Sequence, residues 1–125
     1  MSRASILIAE DNPDIRSVLD WMLQSEGYDV VTAEDGAAAY QSITQIQPDV
    51  ILTDLMMPEV DGLELIRRVR GTKEVADTPI VAMSAYGEDY FIEASAAGAT
   101  AAIRKPDDIE RLVETIERVL PTDRS

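Results

Sequence analysis

The stretch Asp49-Val50-Ile51-Leu52-Thr53-Asp54-Leu55-Met56-Met57-Pro58-Glu59-Val60-Asp61-Gly62 decides the fold. Val50 to Thr53 are apolar or β-branched without polar alternation, the pattern of a short strand buried on both faces. Asp54 stands at the carboxyl end of that strand. Pro58 stops the extension, and Asp61 with Gly62 reads as the cap of a new helix. Strands buried on both faces belong to parallel sheets, where ligands bind beyond the carboxyl ends of the strands. Asp54 is therefore a carboxylate at the mouth of a candidate cleft. Alone, it reads more simply as a turn or capping aspartate.

The flanking sequence repeats the pattern. On the amino side, Ser5 to Ala9 is another buried run, ending on Glu10-Asp11. Asn12 can cap a helix with Pro13 in its first turn, and Ile15, Val18, Leu19, Met22 and Leu23 recur at helical spacing until Gly27. Val30 to Ala33 is a short strand, and Asp35-Gly36 opens a helix with Ala37, Tyr40, Ile43 and Ile46 inward. Pro48 leads into the central stretch.

On the carboxyl side the spacing predicts a helix from Leu63 to Arg70, burying Leu63, Ile66 and Val69. Pro79 precedes a strand from Ile80 to Met83 that ends on Ser84. Gly87-Glu88-Asp89 begins a helix reaching Ala97. After Gly98 comes a strand from Ala99 to Ile103, poor β material held by its place between two helices. Lys105-Pro106 closes it, and Asp107 or Asp108 caps a last helix with Ile109, Leu112, Val113, Ile116 and Leu120 inward. Five strand–helix alternations with no internal linker predict one α/β unit over residues 1–125, a doubly wound five-stranded parallel sheet with five helices covering both faces.

Composition narrows the chemistry. There is no histidine and no cysteine, which removes disulfides, thiol and histidine catalysis, and histidine-based zinc sites. With 24 acidic against 11 basic residues, the formal charge of −13 repels nucleic acid and anionic membrane and attracts cations or basic partners. Most of these charges need do no more than keep the protein soluble. No apolar run is long enough to span a bilayer, and Met1 to Ser5 carries no signal-peptide pattern. The expectation is a cytoplasmic protein.

The predicted strand ends gather Glu10, Asp11, Asp54, Ser84 and Lys105 at one edge. Any one of them is an ordinary polar residue ending a strand; together they are a site. The first turn, Glu10-Asp11-Asn12-Pro13, has no glycine to let backbone amides cradle phosphate. Clustered carboxylates call for a cation, and oxygen-only ligands with room for water suit Mg²⁺. With that charge present, an aspartate can attack phosphorus and form an acyl phosphate. Lys105 and Ser84 would face the remaining phosphoryl oxygens, and the small Ala85 leaves room for a donor.

With these residues in place, the chain resembles the response-regulator receiver domain of two-component signalling over nearly its whole length. The matching residues are Glu10-Asp11, the Asp54 strand with Met57-Pro58 and Asp61-Gly62, Ser84-Ala85, and Lys105-Pro106. The resemblance implies a flavodoxin-like sheet of order 2-1-3-4-5. It implies phosphorylation of Asp54 by a histidine kinase or histidine phosphotransfer protein. It further implies Mg²⁺ on Asp11, Asp54 and the backbone carbonyl of Met56, with Glu10 acting through water. Ser84 would be the switch hydroxyl, Lys105 the phosphate-binding amine, and Lys105-Pro106 a cis peptide.

One departure stands out: where the family carries tyrosine or phenylalanine three residues before the lysine, this chain has Ala102. Tyr86, Tyr90 or Phe91 could substitute, although Tyr90 and Phe91 read equally well as core or surface of their helix. Met56 and Tyr86 are bulky at positions that tune phosphate lifetime in the family, so slow decay is expected. The expected output is a phosphorylation-dependent change in affinity of the face formed by the fourth helix, fifth strand and fifth helix. Its target is a downstream effector or a fused output domain, from a monomer or weak homodimer, with no enzymatic activity beyond its own phosphorylation and dephosphorylation. The chain ends at Pro121-Thr122-Asp123-Arg124-Ser125 without an output domain, as a stand-alone regulator or a receiver cut from a longer protein would. A constitutive interaction module with a degraded switch is the alternative. A hydrolase with an aspartate nucleophile fits less well, because Met56 stands where such enzymes place a second acid.

Overall fold

The structure, a computed structural model, describes residues 4–57, 60–84, 88–104 and 109–120. The described elements alternate: β1 (Ser5–Ala9), α1 (Pro13–Ser25), β2 (Asp29–Ala33), α2 (Gly36–Ile46), β3 (Val50–Asp54), α3 (Gly62–Arg70), β4 (Ile80–Ser84), α4 (Glu88–Ala97), β5 (Ala101–Arg104) and α5 (Ile109–Val119), with a single 3₁₀ turn at Lys73–Val75. All strand pairs are parallel and the sheet order is β2-β1-β3-β4-β5. This is the flavodoxin-like, doubly wound sheet expected from the sequence.

The absence of polar alternation in the central strands has a direct physical cause. Leu7, Ile51, Ile80 and Ala82 face a core beneath α2, α3 and α4, joined by Ala39, Ile43, Leu65, Ile66, Val69 and Ala94. Ile6, Ile8, Val50, Leu52, Val81 and Met83 face a second core beneath α1 and α5, with Leu19, Leu23, Leu112 and Ile116. Successive side chains thus enter opposite cores, and neither face of the middle strands meets water. The expected caps are present. Asn12 accepts from the Asp14 and Ile15 N–H groups, Asp35 from Ala38, and Asp61 from Glu64.

Some details differ from the sequence reading. β3 and β4 each run one residue further, so Asp54 and Ser84 belong to the strands. β5 begins at Ala101 rather than Ala99, because the Ala99 N–H is used to close the end of α4 on the Ala94 carbonyl. α2 buries Gly36, Ala39 and Ile43 while Ala37 and Ile46 stand exposed. Three consecutive alanines gave no hydropathy contrast to fix the helix's rotation. In α1, Val18 is 53% exposed. It lies about 120° around the helix from the centre of the Leu19–Leu23 contact.

Candidate functional site

Two adjacent strand ends bring the acids together. β1 and β3 are neighbours with Ala9 opposite Thr53, so Glu10 and Asp54 follow at the same sheet edge. One carboxylate oxygen from each of Glu10, Asp11 and Asp54 lies within 4.8 Å of the other two. Glu10 is fully buried and Asp54 nearly so, whereas Asp11 stands exposed at the rim. Two negative charges at that spacing repel by roughly 3 kcal/mol even at an effective dielectric of about 20.

Backbone and side-chain bonds hold the acids in this arrangement. Asn12, besides capping α1, donates its N–H to Glu10 Oε2 at 3.1 Å, and Arg16 Nη1 donates to the Glu10 carbonyl at 2.9 Å. The Met56 N–H donates to Asp54 Oδ1 at 3.3 Å, and the Thr53 hydroxyl donates to the Asp54 carbonyl at 2.9 Å. Beyond the strand, Leu55 N–H reaches the Met83 carbonyl and Gly62 N–H reaches the Leu55 carbonyl. The second bond brings the start of α3 directly against the Asp54 backbone. A Cβ on Gly62 would collide with the Asp54 carbonyl oxygen and lie 2.6 Å from Leu55 Cα. Gly36 is likewise backed by Val60, whose carbonyl carbon would lie 2.8 Å from an added Cβ.

Ser84, fully buried, ends β4 on the neighbouring strand, one residue beyond Met83, the partner of Asp54 across the ladder. Ser84 in turn pairs with Arg104, the last residue of β5. Lys105 and Pro106, with Pro58, Ala85, Tyr86, Gly87, Asp107 and Asp108, lie outside the described residues, as does the side chain of Tyr90. The Met56 side chain is 46% exposed. Phe91 and Ala102 are half-buried and line one cleft.

Three carboxylates, two of them buried and one open to water, fit a hard divalent cation that keeps part of its hydration shell, as Mg²⁺ does. Sequence reasoning identified these acids. It missed Arg16 as the residue clamping the β1–α1 turn, and it read Gly36 and Gly62 as parts of caps rather than as points of backbone contact. Both glycines follow a capping aspartate, so the capping signal masked the packing requirement.

The sheet order and the acids at the ends of β1 and β3 define a flavodoxin-like domain of the receiver type. The family model for the response regulator receiver domain matches residues 6–117, and the chain belongs to that family, a signalling module of two-component systems. Sporulation initiation phosphotransferase F of Bacillus subtilis is 33% identical over 97% of this chain and 97% of its own length. The DNA-binding dual master transcriptional regulator RpaA of Synechocystis is 36% identical over 95% of this chain, which spans half of that regulator's length. Among solved structures, the chemotaxis protein CheY4 of Vibrio cholerae superposes with a TM-score of 0.89 at 35% identity, covering 94% of this chain and 98% of that one. Receiver domains bind Mg²⁺ in an acidic pocket, interact with histidine kinases and output domains, and are in general not enzymes themselves.

Proposed function

We propose that this chain is an Mg²⁺-dependent phosphoacceptor whose phosphorylated residue is Asp54. The observation that carries the reading is the meeting of Glu10, Asp11 and Asp54 within 4.8 Å at the carboxyl edge of the sheet. A buried carboxylate beside two others favours a bound cation. A carboxylate held by its own backbone, as Asp54 is by the Met56 N–H, is oriented for attack.

The phosphoryl group comes from a phosphohistidine on a histidine kinase or histidine phosphotransfer protein, since this chain has no histidine of its own. An Asp54 carboxylate oxygen attacks phosphorus, the phosphorus–nitrogen bond breaks, and its electron pair returns to the partner's imidazole. Bound Mg²⁺, held by Glu10, Asp11, Asp54 and the Met56 carbonyl, would offset charge on the phosphoryl oxygens. The Ser84 hydroxyl donates to a phosphoryl oxygen, and Lys105 supplies the ammonium. Phosphorylation then changes the affinity of the α4-β5-α5 face for an effector protein or an attached output domain. In this reading residues 1–125 form one receiver domain, cytoplasmic, monomeric or weakly dimeric. It touches neither nucleic acid nor membrane directly and acts on no substrate but its own aspartyl phosphate. The charge of −13 supports this, and among the described residues no helix is long and apolar enough to cross a membrane.

The test is intact mass after incubation with a small acyl phosphate and Mg²⁺. One phosphoryl group should be gained by the wild type, and none in EDTA or in Asp54→Asn. Phosphorylated Asp54→Asn would move the site elsewhere. The same sample followed in time should lose phosphate slowly, because Met56 crowds the approach of water. Loss within seconds would remove that role from Met56.

A further inference from the structure

One end of α3 touches the Asp54 backbone, and the other reaches the turn that follows α4. At the start of the helix, Gly62 donates its N–H to the Leu55 carbonyl at 3.1 Å, and an added Cβ would collide with the Asp54 carbonyl oxygen. Backbone lies against backbone there, with no side chain between them to absorb a shift. From Gly62 to Arg70 the helix rises about 12 Å. Leu65, Ile66 and Val69 seat it in the core along that length.

At the far end the Arg70 guanidinium bridges two connections. Ahead of β4 it donates to the carbonyls of Ala76 at 3.0 Å and Thr78 at 2.6 Å. Between α4 and β5 it donates to the Gly98 carbonyl at 2.9 Å and the Thr100 hydroxyl at 3.3 Å. The approach is again close. Gly98 has φ +119°, and a Cβ added to it would lie 2.8 Å from Arg70 Cγ. Thr100 extends the contact into the sheet: its hydroxyl also accepts from the Ile80 N–H at 3.0 Å, and its own N–H donates to the Ile80 carbonyl at 2.8 Å. On β5, by contrast, Ala102 stands opposite Ala82 of β4 and has no side-chain rotamer to change.

We infer that α3 carries the state of Asp54 to the α4–β5 turn, with Arg70 as the positioning residue at the receiving end. A phosphoryl group adds charge and bulk at Asp54, on a strand end whose backbone cannot move toward α3 without moving Gly62. A close-packed interior passes such a shift on instead of absorbing it. At the other end, four hydrogen bonds respond, because their strength falls steeply with distance and angle. The planar fork of an arginine spans both connections at once; a lysine ammonium is a point charge and reaches fewer partners. The inference rests on the phosphoacceptor reading and deepens it, by naming the residues through which this chain, with alanine at 102, relays the modification.

The test uses ¹⁵N-labelled protein with Mg²⁺ and beryllofluoride, which mimics a phosphoryl group on a carboxylate. In the wild type two sets of amides should shift together: Leu55 and Met56 beside the site, and Gly98, Ala99 and Thr100 at the turn. Arg70→Lys should keep the first set of shifts and reduce the second at least about twofold. Thr100→Val, which removes an acceptor from the other side of the clasp, should do the same. Leu23→Ala, in the core beneath α1, lowers stability without touching α3 and should leave both sets as in the wild type. Three results would overturn the inference: a turn that does not respond in the wild type, turn shifts unchanged in both clasp variants, or an equal loss in Leu23→Ala, which would make general loosening the cause. Any of these, with Leu55 and Met56 still responding, defeats the α3 route alone. Silence at Leu55 and Met56, with no phosphate gained by intact mass, defeats the phosphoacceptor reading and leaves α3 no signal to carry.

Discussion

Asp54 carries two conflicting demands, being almost fully buried and standing beside two further acids. Removing its charge relieves repulsion when no cation is bound. Asp54→Asn should therefore be more stable than wild type in EDTA, by about 1–3 kcal/mol in urea unfolding. In Mg²⁺ that lead should shrink or reverse: the wild type gains about 2.7 kcal/mol at a hundredfold excess over Kd, and the variant gains much less. Equal stabilisation of both proteins by Mg²⁺ would place the ion elsewhere. Gly62 poses a second residue-scale contrast. Helix propensity alone makes Gly62→Ala favourable by up to about 1 kcal/mol. The collision with the Asp54 carbonyl, which is backbone and cannot swing away, costs about 2–3 kcal/mol. Packing should win, and thermal unfolding should show a loss; a gain would mean that the start of α3 moves away freely. The capping role of Asp61 was legible, because cap chemistry is local. The contact at Gly62 was not, because it depends on a partner seven or eight residues back along the chain.

At the scale of elements, Arg70 ties together three segments that hydropathy treats as unrelated. From the end of α3 its guanidinium donates to the carbonyls of Gly98 at 2.9 Å, Ala76 at 3.0 Å and Thr78 at 2.6 Å, and to the Thr100 hydroxyl at 3.3 Å. Burial pulls its pKa below the ordinary value, and Asp77 pulls it back up. An arginine remains charged there at any pH the fold meets. Lysine has one nitrogen where arginine has a planar fork of three, so Arg70→Lys should cost about 2–3 kcal/mol in urea unfolding. Amide exchange should quicken at Gly98 and Thr100. An unchanged midpoint would show that water replaces the lost donors at no cost. Nothing in the sequence around Arg70 signals this role, which requires the α4–β5 turn to be in place. The strand and helix order was legible because the three middle strands, β1, β3 and β4, are buried on both faces. The inward face of α2 was not, since Ala37, Ala38 and Ala39 look alike until packing chooses among them.

For the molecule as a whole, the charge of −13 and the lack of histidine already directed the reading toward a cation and an external phosphoryl donor. The five alternations fixed which strand ends could meet. What the sequence alone left unread was distance. Glu10, Asp11 and Asp54 become one site only because β1 lies beside β3, an order that no local pattern encodes. The central claim is that this edge makes Asp54 the phosphoacceptor. Its most direct measurement is hydride trapping: borohydride reduces an aspartyl phosphate to homoserine, which marks the modified residue in a peptide map. After treatment with an acyl phosphate and Mg²⁺, homoserine should appear at position 54 and vanish when EDTA replaces the metal. Homoserine at another aspartate, with position 54 intact, would contradict it.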